Sequence, residues 1–227
     1  PGPIGLAALA ISRILHLPLY GTYHTALPQY ITQLTDDGSL EDLTWKFMLW
    51  FYGQCDVVYV PSRATGEELV EKGIPQEKVK YYARGIDVER FHPSKANGFY
   101  KRFRLVDKEI KLLYVGRVSR EKNLPQLVEA YKRLAALRSG VRLVVVGEGP
   151  YLEEMKQALQ GLPVTFTGFL KGEDLPQAYA SSDIFVFPST TDTFGNVVLE
   201  AQASGIPVVV TDQGGPQENL IPGRTGY

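Results

Sequence analysis

Residues 191–204 read T-D-T-F-G-N-V-V-L-E-A-Q-A-S, so that Asp192 precedes Glu200 by eight positions with Phe194-Gly195-Asn196 between them. An apolar strand over 184–188 runs into this stretch, and a helix over 196–204 leaves it. The start of such a helix exposes unpaired N–H groups, and together with the helix dipole these favour a phosphate or another electron-rich group. Gly195 lets a bulky ligand come close to the backbone. Glu200 lies beyond the first turn and so is not a capping carboxylate. Its neighbours Val198, Leu199, Ala201 and Ala203 predict a largely buried helix. There an unpaired carboxylate is costly, and a hydroxyl-rich ligand would satisfy it. The competing reading makes Asp192 or Thr193 an N-cap and Glu200 a solvated charge.

Two more loops carry chemistry. In Gly116-Arg-Val-Ser-Arg-Glu-Lys-Asn123 a glycine turn is followed by Arg117, Arg120 and Lys122, all ahead of a helix. Cations placed at a strand end suit a diphosphate, arginine by a two-pronged grip and lysine as a point charge; solvated basic residues are the alternative. Gly147-Glu-Gly-Pro150 has the look of a dinucleotide fingerprint but lacks the third glycine, is interrupted by Pro150, and has no acidic residue closing the next strand. A nicotinamide cofactor is therefore not expected. Gly168-Phe169-Leu170 offers main-chain groups and an apolar wall to a nucleobase, or else is a simple turn. Asp36-Asp37-Gly38 reads as a turn, and no protein-bound metal is expected. His16 and His92 read as structural. His24, flanked by Tyr23, Thr25 and Pro28 on a loop, is placed where an imidazole can act, or is a core or capping histidine.

The elements that must position these groups alternate. Helices are predicted over 4–15, 40–52 and 64–72, the last capped by Ser62, and strands over 17–25, 56–61 and 79–83. A turn-rich stretch follows, including an aromatic and basic helix over 98–104. Then strands at 111–115, 141–146, 164–167, 184–188 and 207–211 alternate with helices at 125–137, 152–159, 174–181, 196–204 and 216–220. This pattern predicts right-handed βαβ winding and, after residue 109, a doubly wound parallel sheet, whose ligands gather at the carboxyl ends of its strands. The expected division is 1–93, a linker 94–109, and 110–227.

Composition sets the outer bounds. The 227 residues are 44% hydrophobic, enough for a substantial core, and the net charge of −1 supplies no field for nucleic acid, which is not an expected partner. The single cysteine, Cys55, cannot form an internal disulfide or a zinc site, which fits a cytoplasmic setting. Apolar stretches such as 47–52 and 141–146 are too short to span a bilayer. Aromatic and cationic residues mixed over 45–52 and 98–104 raise contact with the inner face of a membrane as an alternative to interdomain core and linker helix. A start at Pro1-Gly-Pro without methionine and a stop at a turn entering a strand read as a fragment.

Taken together, Tyr23-His-Thr25 with Pro28, Val60-Pro-Ser62, Gly85-Ile-Asp87 with Phe91, Gly116-Arg117 with Lys122-Asn123, Gly147-Glu-Gly149, Gly168-Phe169 and 192–205 resemble, in order and spacing, the retaining GT-B glycosyltransferases of family 4. That group includes mannosyl-, glucosyl- and sulfoquinovosyl-transferring enzymes. The resemblance implies an α/β fold with a Rossmann-like donor domain and part of a second, acceptor-side domain. It implies transfer of a hexose from a UDP- or GDP-sugar to a lipid, sugar or glycan acceptor, with retention, without cofactor or metal. It assigns Arg117 and Lys122, with Gly195 and Asn196, to the donor diphosphate, and Glu200 to the ribose. Asp192, Phe194 and Gly195 go to the sugar, and His24 with Asp192 to the reaction centre. The nucleobase falls to Gly168, Phe169 and Leu170. One departure is that Asp192 is a methylene shorter than the family's more usual glutamate, so adapted sugar contacts are expected. Two other readings stay open: a nucleotide-sugar-binding fragment without activity of its own, and a hydrolysing nucleotide-sugar epimerase.

Overall fold

The computed structural model describes all residues except Pro1, Asp36, Asp37, Ala83, Val106 and Asp107, and omits the side chains of Gln33 and Leu34. The turn expected at Asp36-Asp37 therefore lies outside the described residues. The chain divides into two compact units, Pro1–Arg84 with Thr191–Phe194, and Gly85–Thr190 with Gly195–Tyr227.

The first unit comprises α1 (Pro3–Leu15), β1 (Tyr20–Thr22), α2 (Leu27–Thr35), α3 (Gly38–Gly53), β2 (Val57–Val60), α4 (Arg63–Glu71) and β3 (Val79–Tyr81). Its three strands are parallel in the order β1-β2-β3. Ser62 caps α4 as expected, its hydroxyl accepting from the Thr65 N–H at 3.2 Å. Helix α2 was not expected, because Pro28 reads as a loop residue. Proline at the second position of a helix displaces no intrahelical N–H bond, so it starts α2 and does not prevent it. The aromatic stretch of α3 divides by helical period. Trp45, Met48, Phe51 and Tyr52 enter the core, whereas Phe47 and Trp50 stack on one another and are each partly exposed.

The second unit is built on β4 (Ile110–Val115), α5 (Leu124–Leu137), β5 (Val141–Val146), α6 (Leu152–Ala158), β6 (Val164–Gly168), α7 (Asp174–Ala180), β7 (Ile184–Phe187), α8 (Asn196–Ala203) and β8 (Val208–Val210). All strands are parallel, in the order β6-β5-β4-β7-β8. The chain starts in the middle of the sheet, runs to one edge, then returns to wind the other way. That is the doubly wound arrangement, with its switch point between β4 and β7. Near-continuous burial of Leu112–Val115 and Leu143–Val146 accounts for the unbroken apolar runs. The expected helix at 216–220 is a 3₁₀ turn, Pro216–Asn219.

The stretch expected to act as a linker, 94–109, does not stand apart. Phe99 and Tyr100 lie on a 3₁₀ helix, Phe99–Phe103, and are buried in the second unit's core together with Leu105 and, ahead of them, Phe91. The Tyr100 hydroxyl bonds to Ser182 at 2.8 Å and donates to the Ala178 carbonyl at 2.9 Å. The contact boundary therefore falls after Arg84 and not after Pro93. Two cations of this stretch are also engaged: Arg102 lies 4.0 Å from the Phe99 ring and pairs with Asp174 at 2.9 Å, and Lys95 pairs with Glu173 at 3.0 Å.

Candidate functional site

The loops leaving β4, β5, β6 and β7 all open on the carboxyl edge of the second unit's sheet. The first two are locked together through their backbones. Gly147 has φ +132°, and a Cβ there would lie 1.9 Å from the Gly116 carbonyl oxygen; one on Gly149 would lie 2.3 Å from that of Val118. Only glycine fits at either place. The N–H of Gly116 donates to Val146, that of Val118 to Glu148, and that of Gly147 to the carbonyl of Gly168 at 2.9 Å. The glycines of the G-E-G run thus serve loop packing, in agreement with the failed dinucleotide fingerprint.

Arg117 stands on this platform. The Tyr114 hydroxyl donates to its carbonyl at 2.9 Å, and its guanidinium, 62% exposed, lies 3.8 Å from the buried carboxylate of Glu121. Glu121 in turn accepts from the Ser119 hydroxyl. An exposed cation tethered by one buried carboxylate is free to meet a second anion. Arg120, grouped with it in the sequence, is committed elsewhere, gripping Glu154 at 2.5 and 2.7 Å. Lys122 ends the 3₁₀ turn Arg120–Lys122 and is half-buried.

A cavity of about 300 Å³ joins the Arg117 turn to the loop after β6, lined by Gly116, Arg117, Gly147, Glu148, Phe169 and Leu170 with three apolar neighbours. Phe169 and Leu170 thus line the same cavity as the cation. Gly168 does not line it; its carbonyl accepts from Gly147 N–H and the Thr167 hydroxyl.

The loop after β7 carries the acidic half. Helix α8 begins at Asn196 with Gly195 as its cap, in the left-handed region at φ +78° and without a side-chain cap. The cap position is held by Gly195 and not by Asp192 or Thr193, so the cap residue itself supplies no side-chain acceptor to the first N–H groups. Glu200, half-buried, accepts from the Tyr179 hydroxyl at 2.8 Å, so it is neither a solvated charge nor wholly unpaired. Burial pushes its carboxyl above the usual range, offset by the Tyr179 hydrogen bond and the Arg90 charge. Because β4 pairs directly with β7, the Arg117 turn and the α8 start leave neighbouring strands at the switch point.

In the first unit the structure brings His24 beside the segment that carries Asp192. The Thr193 hydroxyl donates to the His24 carbonyl at 2.9 Å, and the Thr65 hydroxyl donates to the Thr193 carbonyl at 3.4 Å. Arg84, held by the Tyr82 hydroxyl at 2.7 Å, faces the Phe194 ring at 5.5 Å. His24 is exposed, its Nδ1 3.2 Å from the Thr25 hydroxyl. Sequence reasoning missed Tyr179, Glu121, Thr65 and Arg84, each of which reads as an ordinary helix or loop residue. Among the described residues no group of three or more His, Cys, Asp or Glu is placed to hold a metal ion.

Residues 99–227 match the model for "Glycosyl transferases group 1", and residues 1–90 match "Glycosyltransferase Family 4". The chain belongs to the group 1 glycosyl transferases. With its two parallel sheets it is a GT-B, family 4 member, as the sequence motifs imply. It is 35% identical over its whole length to the sulfoquinovosyl transferase SQD2 of Arabidopsis thaliana, covering 45% of that protein. It is also 35% identical to a GDP-mannose-dependent alpha-mannosyltransferase of Mycobacterium tuberculosis, covering 57% of it. Anabaena Alr3699/HepE, solved in complex with UDP and glucose, superposes with a TM-score of 0.80 at 25% identity, over 98% of this chain and 60% of that one. The chain thus spans about half the length of the relatives it matches.

Proposed function

We propose that the protein of this chain transfers a hexose from a nucleoside-diphosphate sugar to a lipid, sugar or glycan hydroxyl, with retention and without a bound metal. The observation that carries the reading is the cavity that sets the exposed guanidinium of Arg117 against Phe169 and Leu170, one strand from the glycine-led start of α8. In this reading the base lies on Phe169 and Leu170, with Gly168 holding the loop. Glu200 accepts from the ribose hydroxyls. Arg117 and Lys122, with the N–H groups at Gly195 and Asn196, neutralise the diphosphate as it leaves, which is stabilisation of charge where it develops. Asp192, Phe194 and Gly195 contact the sugar, and His24 with Asp192 serves the reaction centre, where the acceptor hydroxyl enters on the face the diphosphate leaves. Relatives named as using GDP-mannose, and a structural neighbour holding UDP, support a nucleotide donor and leave its base open.

The test is made in the full-length protein. Arg117→Ala and Glu200→Ala are each expected to lower kcat/KM by about 100-fold or more, read by donor turnover and product formation; normal turnover by both removes the proposal. Chelator is expected to leave the rate unchanged, and the product anomer, read by NMR, to match that of the donor. Nucleotide binding by this chain with no transfer by the full-length protein favours a binding module, and epimer interconversion with donor alone favours an epimerase.

Contact with a membrane surface belongs to the same proposal. It is supported by the exposed Phe47 and Trp50 pair on α3; no helix among the described residues is long and apolar enough to cross a bilayer. Co-sedimentation with anionic vesicles is expected, and its loss in Trp50→Ala; no binding by the parent removes this part.

A further inference from the structure

Helix α7 contributes a phenol that the reading above does not use. Tyr179 is fully buried, its ring set edge-on to Phe91 at 5.6 Å and tilted on Phe185 at 5.6 Å. Its hydroxyl ends 2.8 Å from Oε2 of Glu200, its hydrogen-bond partner. The other carboxylate oxygen of Glu200, Oε1, has no hydrogen-bond or ion-pair partner among the described residues. One oxygen of the acid is thus clamped from inside the core by a rigid ring, and the second is left to accept from something else. A fully buried phenol packed against two aromatic neighbours is held by close packing, so the clamp orients the carboxylate as well as bonding it.

Resting on the assignment of Glu200 to the ribose, we propose that Tyr179 is the positioning residue of that subsite. Its hydroxyl holds the Glu200 carboxylate ionised and in one orientation, so that Oε1 accepts a ribose hydroxyl. The ionisable groups on elements packed against α8 are few. Asp174 on α7 is turned to Arg102, and Glu218 lies in the turn after β8. Arg90, whose guanidinium reaches the Gly172 carbonyl at 3.5 Å, adds a favourable charge. Burial works against ionisation of Glu200, and the Tyr179 hydrogen bond and the Arg90 charge work for it.

Removing the hydroxyl while keeping the ring therefore leaves a buried carboxyl that ionises at higher pH. Tyr179→Phe is expected to weaken UDP or GDP binding about tenfold near pH 7, measured by calorimetry, with partial recovery as pH rises and the acid limb of the affinity profile moved upward. It is also expected to lose the preference for the ribonucleotide over its 2′,3′-dideoxy analogue, a readout that damaged packing would not change. Equal affinity, pH limb and preference in Tyr179→Phe, with Glu200→Ala impaired, overturns the role of Tyr179 alone. Unimpaired nucleotide binding by Glu200→Ala overturns the ribose assignment and this inference with it. Should Tyr179→Phe fail to fold, 3-fluorotyrosine at 179, a stronger donor, is expected to move the acid limb downward; an unmoved limb overturns the proposal.

Discussion

At two positions the surroundings decide what a residue can do. Glu68 on α4 is half-buried, bonded by the Gln29 amide, and its carboxyl is pushed above the usual range by that burial, with Lys72 opposing. A carboxyl whose folded pKa is raised destabilises the fold where it is ionised; stability is greatest below the ordinary carboxylate range and falls as pH rises through the raised value. Glu68→Gln is therefore expected to raise the urea midpoint at pH 7 and to show no gain near pH 4, where the parent carboxyl is protonated; an equal gain at both pH values would contradict the burial account. Gly147 is a second case, of shape and not charge. A side chain there meets the Gly116 carbonyl, so Gly147→Ala is expected to cost roughly 2–4 kcal/mol in chemical denaturation and to impair nucleotide binding, whereas Gly161→Ala, strained but open, spares binding. The sequence showed that Gly147 belongs to a turn. It could not show the contact, because the partner is a backbone oxygen 31 positions earlier in the chain.

At the scale of elements, some features are local enough to read and others rest on contacts too distant to read. Ser62 before α4 is of the first kind, visible as a hydroxyl ahead of an amphipathic run and found capping Thr65. Ser62→Ala is expected to lower stability by about 1 kcal/mol, read as a shifted urea midpoint with unchanged slope; a shift within error would show that water replaces the cap without loss. Helix α2 shows the limit of local signals, since a proline that starts a helix and one that ends it look alike without the following turns in view. The Arg117 turn shows another: three cations in one loop read as one cluster, yet Arg120 is drawn off to Glu154 on α6.

For the whole molecule, two units with separate cores predict separable responses to ligand. If the second unit's loops bind it as proposed, nucleoside diphosphate is expected to stabilise that unit by RT ln(1 + [L]/Kd) and so raise its melting temperature, leaving the first unit's unchanged, followed by the buried Trp45 fluorescence of the first unit against amide circular dichroism; equal shifts in both would place the nucleotide elsewhere. Alternation of apolar runs with amphipathic helices determined from sequence alone that this is a parallel α/β chain, because period and turn residues are local properties of the backbone. The motifs Arg117 with Lys122, and Asp192 to Glu200, could be picked out for the same reason: each lies within a short stretch of chain. Only tertiary structure decided that Phe91, Phe99, Tyr100 and Leu105 pack into the second core, that Phe169 and Leu170 border the Arg117 turn, and that Tyr179 clamps Glu200. Those facts depend on which strands lie side by side, and strand order is set by the burial of whole faces rather than by any one segment.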